Sequence, residues 1–311
     1  MTSIDLVRSL RDEWVQKSVR ISILRGGISN CNYLVEDGER FYKVRIPGRN
    51  TDFFSDRDGE IRDLKALQST DLVWSPNLNP TGVIPGVVDY KTDTKIAIFA
   101  FVPGTTARKE DFGNRQVRKN AIRSIRRIHQ CSVEFCRVFN VYREIERYVN
   151  RLTAYQNQIS MDYPLKMFQR SALTLQKELE RNRPTYVPCH NDLISSNFIL
   201  SDDSVHIVDW ELGGMNDPRF EIADFLIEHK DILSEKDEEE VLDSYFGAQK
   251  ENMRRGVDCY RFLADFLWAL WAAIQHNISE LNFDFERYAR DRFEASLEHI
   301  EMLKDRYSIS L

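Results

Sequence analysis

Asp192, Asn197 and Asp209 carry oxygens at spacings that suit transfer of a phosphoryl group. They lie in Cys189-His190-Asn191-Asp192-Leu193-Ile194-Ser195-Ser196-Asn197, two short apolar runs at 198–200 and 205–208, and the closing Asp209-Trp210-Glu211. Phosphoryl transfer asks a protein for little covalent chemistry. It needs an oriented hydroxyl, cations across the phosphates and in-line geometry. Asp192 is placed to accept the proton of a substrate hydroxyl. Asn197 and Asp209 offer hard oxygen ligands of the kind that suit Mg2+. A turn at 201–204 folds the apolar runs into a hairpin, which brings Asn197 and Asp209 near one another at its open end. The catalytic set is therefore Asp192, Asn197 and Asp209, with the last two as metal ligands.

Upstream elements must hold the phosphate donor. The pattern over 4–17 predicts an amphipathic helix, and strands follow at 19–24, 32–36 and 41–46. Gly26-Gly27 permits a tight turn between the first two strands, and Asp37-Gly38 is a hairpin signal between the next two. A strand–glycine turn–strand unit is the geometry of a flap over phosphates, with Gly27, Ser29, Asn30 and Asn32 meeting phosphate oxygens. Lys43 and Arg45 share one strand face, and either reaches the non-transferred phosphates. Residues 56–67 read as a helix, with Ile61, Leu64 and Leu67 as its stripe. Glu60 leads the candidates to pair with the phosphate-binding cation, and Asp56 and Asp58 are rivals. The apolar strand at 95–102 ends in Pro103-Gly104. Backbone groups of Ala100 to Val102 are placed there to hydrogen-bond adenine.

The downstream chain reads as helical. A basic helix spans 115–131, a charge-rich helical pair spans 140–182, and an acidic helix spans 231–245. Asp217 and Asp224 are expected to serve structure. Trp268 and Trp271 are three residues apart on one helical face, with Gln275 a turn beyond, and Tyr288 lies on the following helix. Such spacing describes either packed core or an aromatic cage for an ammonium group.

Composition sets limits. The chain has 311 residues, 42% hydrophobic and 30% charged, with a formal net charge of −6. That is enough apolar material for two lobes, and the acidic balance argues against nucleic acid as a partner. The five cysteines are odd in number and form no Cys-x-x-Cys pair, so they read as a reduced, cytoplasmic set without zinc. No secretory signal is visible at residues 1–10, and the apolar run 262–274 is too short to enter a membrane as a span. No pattern specifies an oligomer.

The catalytic stretch matches the His-x-Asp-x-x-x-x-Asn pattern of protein kinases, with Asn191 where Arg is usual. Together with Arg25-Gly26-Gly27-Ile28-Ser29-Asn30-Cys31-Asn32-Tyr33, Arg45-Ile46-Pro47-Gly48 and Phe262-Leu263-Ala264-Asp265-Phe266-Leu267-Trp268-Ala269-Leu270-Trp271, it resembles the choline/ethanolamine kinases and the wider aminoglycoside phosphotransferase group. The paired Trp resembles the choline kinases most. The resemblance covers roughly residues 22–300. It implies an α+β, two-lobed, protein-kinase-like fold, with a nucleotide-binding antiparallel-sheet lobe at 1–102 and a mainly helical lobe at 103–311. It also implies ATP and Mg2+ as cofactors and the hydroxyl of choline as acceptor, giving the phospholipid precursor phosphocholine. Ethanolamine or another small amino alcohol is the alternative, and an inactive quaternary-amine-binding module is the alternative outside enzymes. The resemblance favours Arg45 as the phosphate clamp. It makes Trp268, Trp271 and Tyr288 the cage, puts Glu228 near the cation and sets Asp192 at the hydroxyl. Ile194 departs from the choline kinase pattern, where Gln is usual.

Overall fold

Alternation of apolar and polar residues decides the sheet. The computed structural model describes residues 3–24, 30–48, 53–75, 78–154, 164–202, 204–279 and 281–311. Strands β1 (Arg20–Leu24), β2 (Asn30–Asp37), β3 (Arg40–Pro47), β4 (Val87–Lys91) and β5 (Ile96–Ala100) form an antiparallel sheet in the order β1-β2-β3-β5-β4. Tyr33, Val35, Tyr42, Val44, Ile96 and Ile98 point to one face and bury Val7 and Trp14 against it. Each large apolar side chain so buried contributes about 1.5–3 kcal/mol. By the same period of two, Lys43 and Arg45 point to the other face. The β2–β3 connection is the expected hairpin, with Gly38 at φ +62° where an L side chain would be strained.

The N-terminal helix expected over 4–17 is two pieces, α1 (Ser3–Ser9) and α2 (Asp12–Gln16). Val7 and Trp14 both reach the sheet, and a break between the helices lets each do so. Helix α3 (Arg57–Ala66) starts at Asp56, whose side chain accepts from the Gly59 N–H at 2.9 Å. Its stripe of Ile61 and Leu64, continued by Leu67, is buried as expected, and so are Glu60 and Asp63.

The chain divides into two compact units, 1–137 with 194–214, and 138–193 with 215–311. This division differs from the lobes 1–102 and 103–311 expected from the sequence, for a reason visible in the contacts. Helix α4 (Arg115–His129) and the hairpin β6 (Phe198–Ser201) and β7 (Ser204–Ile207) pack with the sheet's own connections. The Ser124 hydroxyl donates to Val205 O at 2.6 Å, and Ile207 N–H donates to Val83 O at 2.7 Å.

The second unit is helical: α5 (Val141–Thr153), α6 (Leu165–Glu180), α7 (Pro218–Glu228), α8 (Glu235–Phe246), α9 (Lys250–Ile278) and α10 (Phe285–Tyr307). Phe168 of α6 meets Phe262 and Phe266 of α9 and Phe293 of α10, with ring centroids 5.2–5.9 Å apart. Helix α7 is buried along its whole length. The acidic helix begins at Glu235, later than expected, because Ser234 caps it and shares a reciprocal contact with Asp237. Among the described residues, no helix is long and apolar enough to cross a membrane.

Candidate active site

In the first unit, the face of the sheet that carries Lys43 and Arg45 borders a cavity of about 260 Å3. Asn32, Lys43, Arg45, Glu60, Ala100, Val102, Asn197 and Asp209 all line it. Gly27 and Ser29 lie outside the described residues. The Asn30 amide donates to Glu211 Oε2 at 3.2 Å, and Asn30 does not line the cavity. Ala100 N–H and Phe101 N–H are used within the sheet region, donating to Gly86 O and Phe41 O.

Arg45 is 1% exposed and forks onto Glu60 through both terminal nitrogens, one at 2.8 Å. The same Nη1 reaches Asp209 Oδ1 at 3.1 Å. The rivals for this pairing are engaged elsewhere. Asp56 caps α3, and Asp58 accepts from Tyr90 OH at 2.6 Å and from Lys95 Nζ at 2.7 Å. Burial alone would lower the Arg45 pKa. Glu60, Asp209 and Glu211 outweigh it and hold the guanidinium charged. The hairpin pairs Phe198 with Ile207, and Val208 N–H donates to Asn197 O at 2.9 Å, so the backbones leading to Asn197 and Asp209 are adjacent. Asp209 sits at φ 68°, in the left-handed region. Glu211, given no role from the sequence, is a second carboxylate beside it. Burial raises the Glu211 pKa and Asp209 adds to the rise, against Arg45 and Arg57.

In the second unit, helix α7 holds the segment that ends at Asp192. Glu221 accepts from His190 N–H at 2.9 and 3.0 Å, and Asp224 accepts from Leu193 N–H at 2.7 Å. Asn216 donates to Asn191 Oδ1 at 2.7 Å, supporting a residue at φ 67°. Asp192 itself is partly exposed.

Asp224 also accepts the indole N–H of Trp268 at 2.7 Å. Trp268 is 6% exposed. Trp271 and Tyr288 are half-buried, with ring centroids 6.3 Å apart and edge to face. Phe285 lies 5.8 Å from Trp271, and Phe283, an exposed ring, lies 6.0 Å from Tyr288. Glu228 is in an ion pair with Arg292. The other arm of Arg292 reaches Asp265 at 2.7 Å, and Arg292 also donates to Tyr288 OH at 3.0 Å. The His299 ring meets Asp265 at 3.0 Å.

Three buried carboxylates, Asp224, Glu228 and Asp265, thus face one guanidinium. The imbalance falls on Asp224. Burial first, then Glu228, push its pKa up to about 8 despite the N–H donors of Leu193 and Trp268. Asp265 goes the other way: burial would raise it, but His299 and Arg292 together bring it below the usual range. Sequence reasoning left Asp224 structural and gave Arg292, Asp265 and Phe283 no role. The available signal was Glu221, Asp224 and Glu228 at i, i+3 and i+7 in a helix that is otherwise apolar after Arg219, a buried acidic stripe that needs partners.

The sequence profile of the choline/ethanolamine kinases matches residues 21–297. The chain belongs to the choline/ethanolamine kinase family. The chain is accordingly a phosphotransferase that acts on an alcohol and binds ATP. It is 25% identical over 316 residues to ethanolamine kinase 2 of Mus musculus, covering 94% of this chain and 79% of that one. It is 26% identical over 301 residues to protein LicA of Haemophilus influenzae, covering 93% and 82%. The choline kinase LicA of Streptococcus pneumoniae shares the fold, with a TM-score of 0.79 at 21% identity over 97% of this chain and all of that one. The α+β kinase-like fold expected from the sequence is therefore the fold of this family member.

Proposed function

We propose that this kinase transfers the γ-phosphoryl group of ATP to the hydroxyl of choline, giving phosphocholine and ADP. The observation that carries the amine half is the network in the second unit, where the acidic groups Asp224, Glu228 and Asp265 outnumber the basic groups Arg292 and His299 beside the rings of Trp271 and Tyr288. Burial keeps the proton on Asp224, and a substrate ammonium nearby offsets the cost of its ionised form. Choline is favoured over ethanolamine by where the acceptors are engaged. Arg292 takes Glu228, Asp265 and the Tyr288 hydroxyl oxygen, and Trp268 takes Asp224. What remains for a substrate is mainly ring face, which suits an ammonium without N–H groups and contributes on the order of 0.5–2 kcal/mol per contact.

Asp192 takes the hydroxyl proton as the choline oxygen bonds to the γ-phosphorus. The bond from that phosphorus to the β-phosphate bridging oxygen breaks, and ADP leaves with the electron pair. Arg45, held by Glu60, contacts the non-transferred phosphates. Asn32 helps to cover them, and the backbone from Ala100 to Val102 receives adenine. Asn197 and Asp209 offer an all-oxygen donor set that fits a hard divalent cation; they would hold Mg2+, which would supply charge neutralisation at the phosphates.

The test is ADP release over choline, its monomethyl and dimethyl analogues and ethanolamine, with and without Mg2+. We expect kcat/KM to rise with each methyl group. A preference for ethanolamine overturns the choline assignment and keeps the kinase. Turnover on none of these amines overturns both.

A further inference from the structure

Arg137 was assigned nothing by its sequence context, yet it joins two parts of the phosphate-binding machinery. It follows α4 at the end of the first unit's long segment. Its Nε donates to Asp63 Oδ2 at 2.9 Å, and the preceding Cys136 N–H donates to Asp63 Oδ1 at 2.6 Å, so one buried carboxylate of α3 fixes both the backbone and the guanidinium. Nη1 donates to Glu211 O at 2.9 Å and to Asp56 O at 3.3 Å, and Nη2 donates to Trp210 O at 3.3 Å. One planar fork therefore links α3 to the chain immediately after Asp209.

The path of the side chain is built for it. A Cβ on Gly59 would lie 2.4 Å from Arg137 Cδ, and one on Gly213 would lie 3.3 Å from Arg137 Nη2. Glycine on both sides leaves a slot that the guanidinium fills. The rings of Phe135 and Trp210, 6.1 Å apart, support the same junction. The two parts joined here are also the two that hold Arg45, since α3 carries Glu60 and the other segment begins with Asp209.

We propose that Arg137 is a positioning residue for the phosphate and metal site, clamping α3 to the Asp209–Glu211 segment so that Glu60 and Asp209 face Arg45 in one arrangement. The inference rests on the reading of Asp209 as a metal ligand, and it deepens that reading by naming what holds the ligand. An apolar side chain at 137 leaves the carbonyls of Trp210 and Glu211 without this donor and lets Asp209 move. A lysine supplies charge without the planar fork.

The test compares wild type with Arg137→Met and Arg137→Lys by calorimetric titration of ATP with Mg2+ and with EDTA. In Arg137→Met, the affinity gained from Mg2+ falls roughly 10–100-fold, as expected when a support of a metal ligand is lost, while affinity in EDTA and the KM for the amine stay near wild type. Arg137→Lys falls between the two. Hydrogen exchange supplies the readout independent of metal: amides in 57–66 and 208–214 exchange faster together in Arg137→Met, while those in 250–278 keep their rates. If Arg137→Met fails to fold, Arg137→Lys, which keeps the charge but loses the planar fork, gives the same two readings in weaker form. Wild-type Mg2+ dependence in a folded variant, or faster exchange in only one of the two segments, overturns the clamp. A wild-type enzyme whose ATP binding ignores Mg2+ overturns the metal reading instead, and the exchange data still decide the clamp.

Discussion

Each unit is built around a buried arginine that bridges two carboxylates, and the two bridges differ in what surrounds them. Arg45 joins Glu60 to Asp209 on the wall of a cavity that Lys43 also lines, with Arg57 nearby at 3.6 Å from Glu211. Arg292 joins Glu228 to Asp265 among aromatic rings, with Asp224 as a further carboxylate. Cations and carboxylates are near balance in the first, which suits it to a polyphosphate arriving with its own metal. The second holds more acid than base, which suits it to an ammonium. On the proposed reading the same motif of a charged fork would serve opposite ligands, because the neighbours rather than the arginine set the sign of the remaining charge.

The largest expected effect lies outside both networks and tests whether they are binding devices. Asp192→Asn should lower kcat by roughly 10²–10⁴-fold, the usual contribution of a general base, with ATP affinity little changed. Stopped single-turnover kinetics would read it, and an active variant removes the mechanism.

A paired substitution then separates the bridges. Arg292→Met leaves Glu228 and Asp265 buried without their cation and should cost roughly 3–5 kcal/mol of stability, measured by denaturant unfolding, with partial recovery in saturating choline. Arg45→Met should instead weaken ATP by roughly 10–100-fold, the worth of charge-assisted hydrogen bonds, and leave the amine KM unmoved. Equal effects on both substrates from either variant would erase the distinction between the two sites.

The smallest effect concerns pH. Folded Asp224 keeps its proton to about pH 8, whereas the unfolded chain releases it near pH 4. Between these values the folded state binds more protons, so this group's contribution to stability falls as pH rises through the window. Glu228 and Arg292 flank Asp224, and His299 reaches the neighbouring Asp265. Melting temperatures from pH 5 to pH 8.5 should decline in wild type and decline less in Asp224→Asn, and choline should stabilise wild type more at the upper end. Equal slopes in wild type and Asp224→Asn would show that Asp224 does not change protonation across this window.

The local relations are legible in the sequence. The spacing of Asp192, Asn197 and Asp209, the hairpin between the last two, the Asp37-Gly38 turn and the helix bearing Glu60 all depend on residues close in the chain or on periodicity. Arg45 and Glu60 are only fifteen positions apart, which kept their pairing within reach. The interrupted helix at 3–16 was missed because a continuous apolar pattern does not reveal where two anchors, Val7 and Trp14, must each meet a sheet. Trp268 and Trp271 looked equivalent, yet one donates to a buried carboxylate and the other keeps an accessible ring.

By itself the sequence determined the class of chemistry, because phosphoryl transfer requires particular side chains at short separations, and it determined the alternating faces that form the sheet. Tertiary structure alone decided the charge balance around Arg292, the company of Asp224 and the path of Arg137. Those depend on partners far apart in the chain, such as Arg292 with Asp265 at 27 residues and Arg137 with Asp56 at 81. Periodicity can say that a residue is buried, but burial makes a charge costly or useful only according to what folding brings against it.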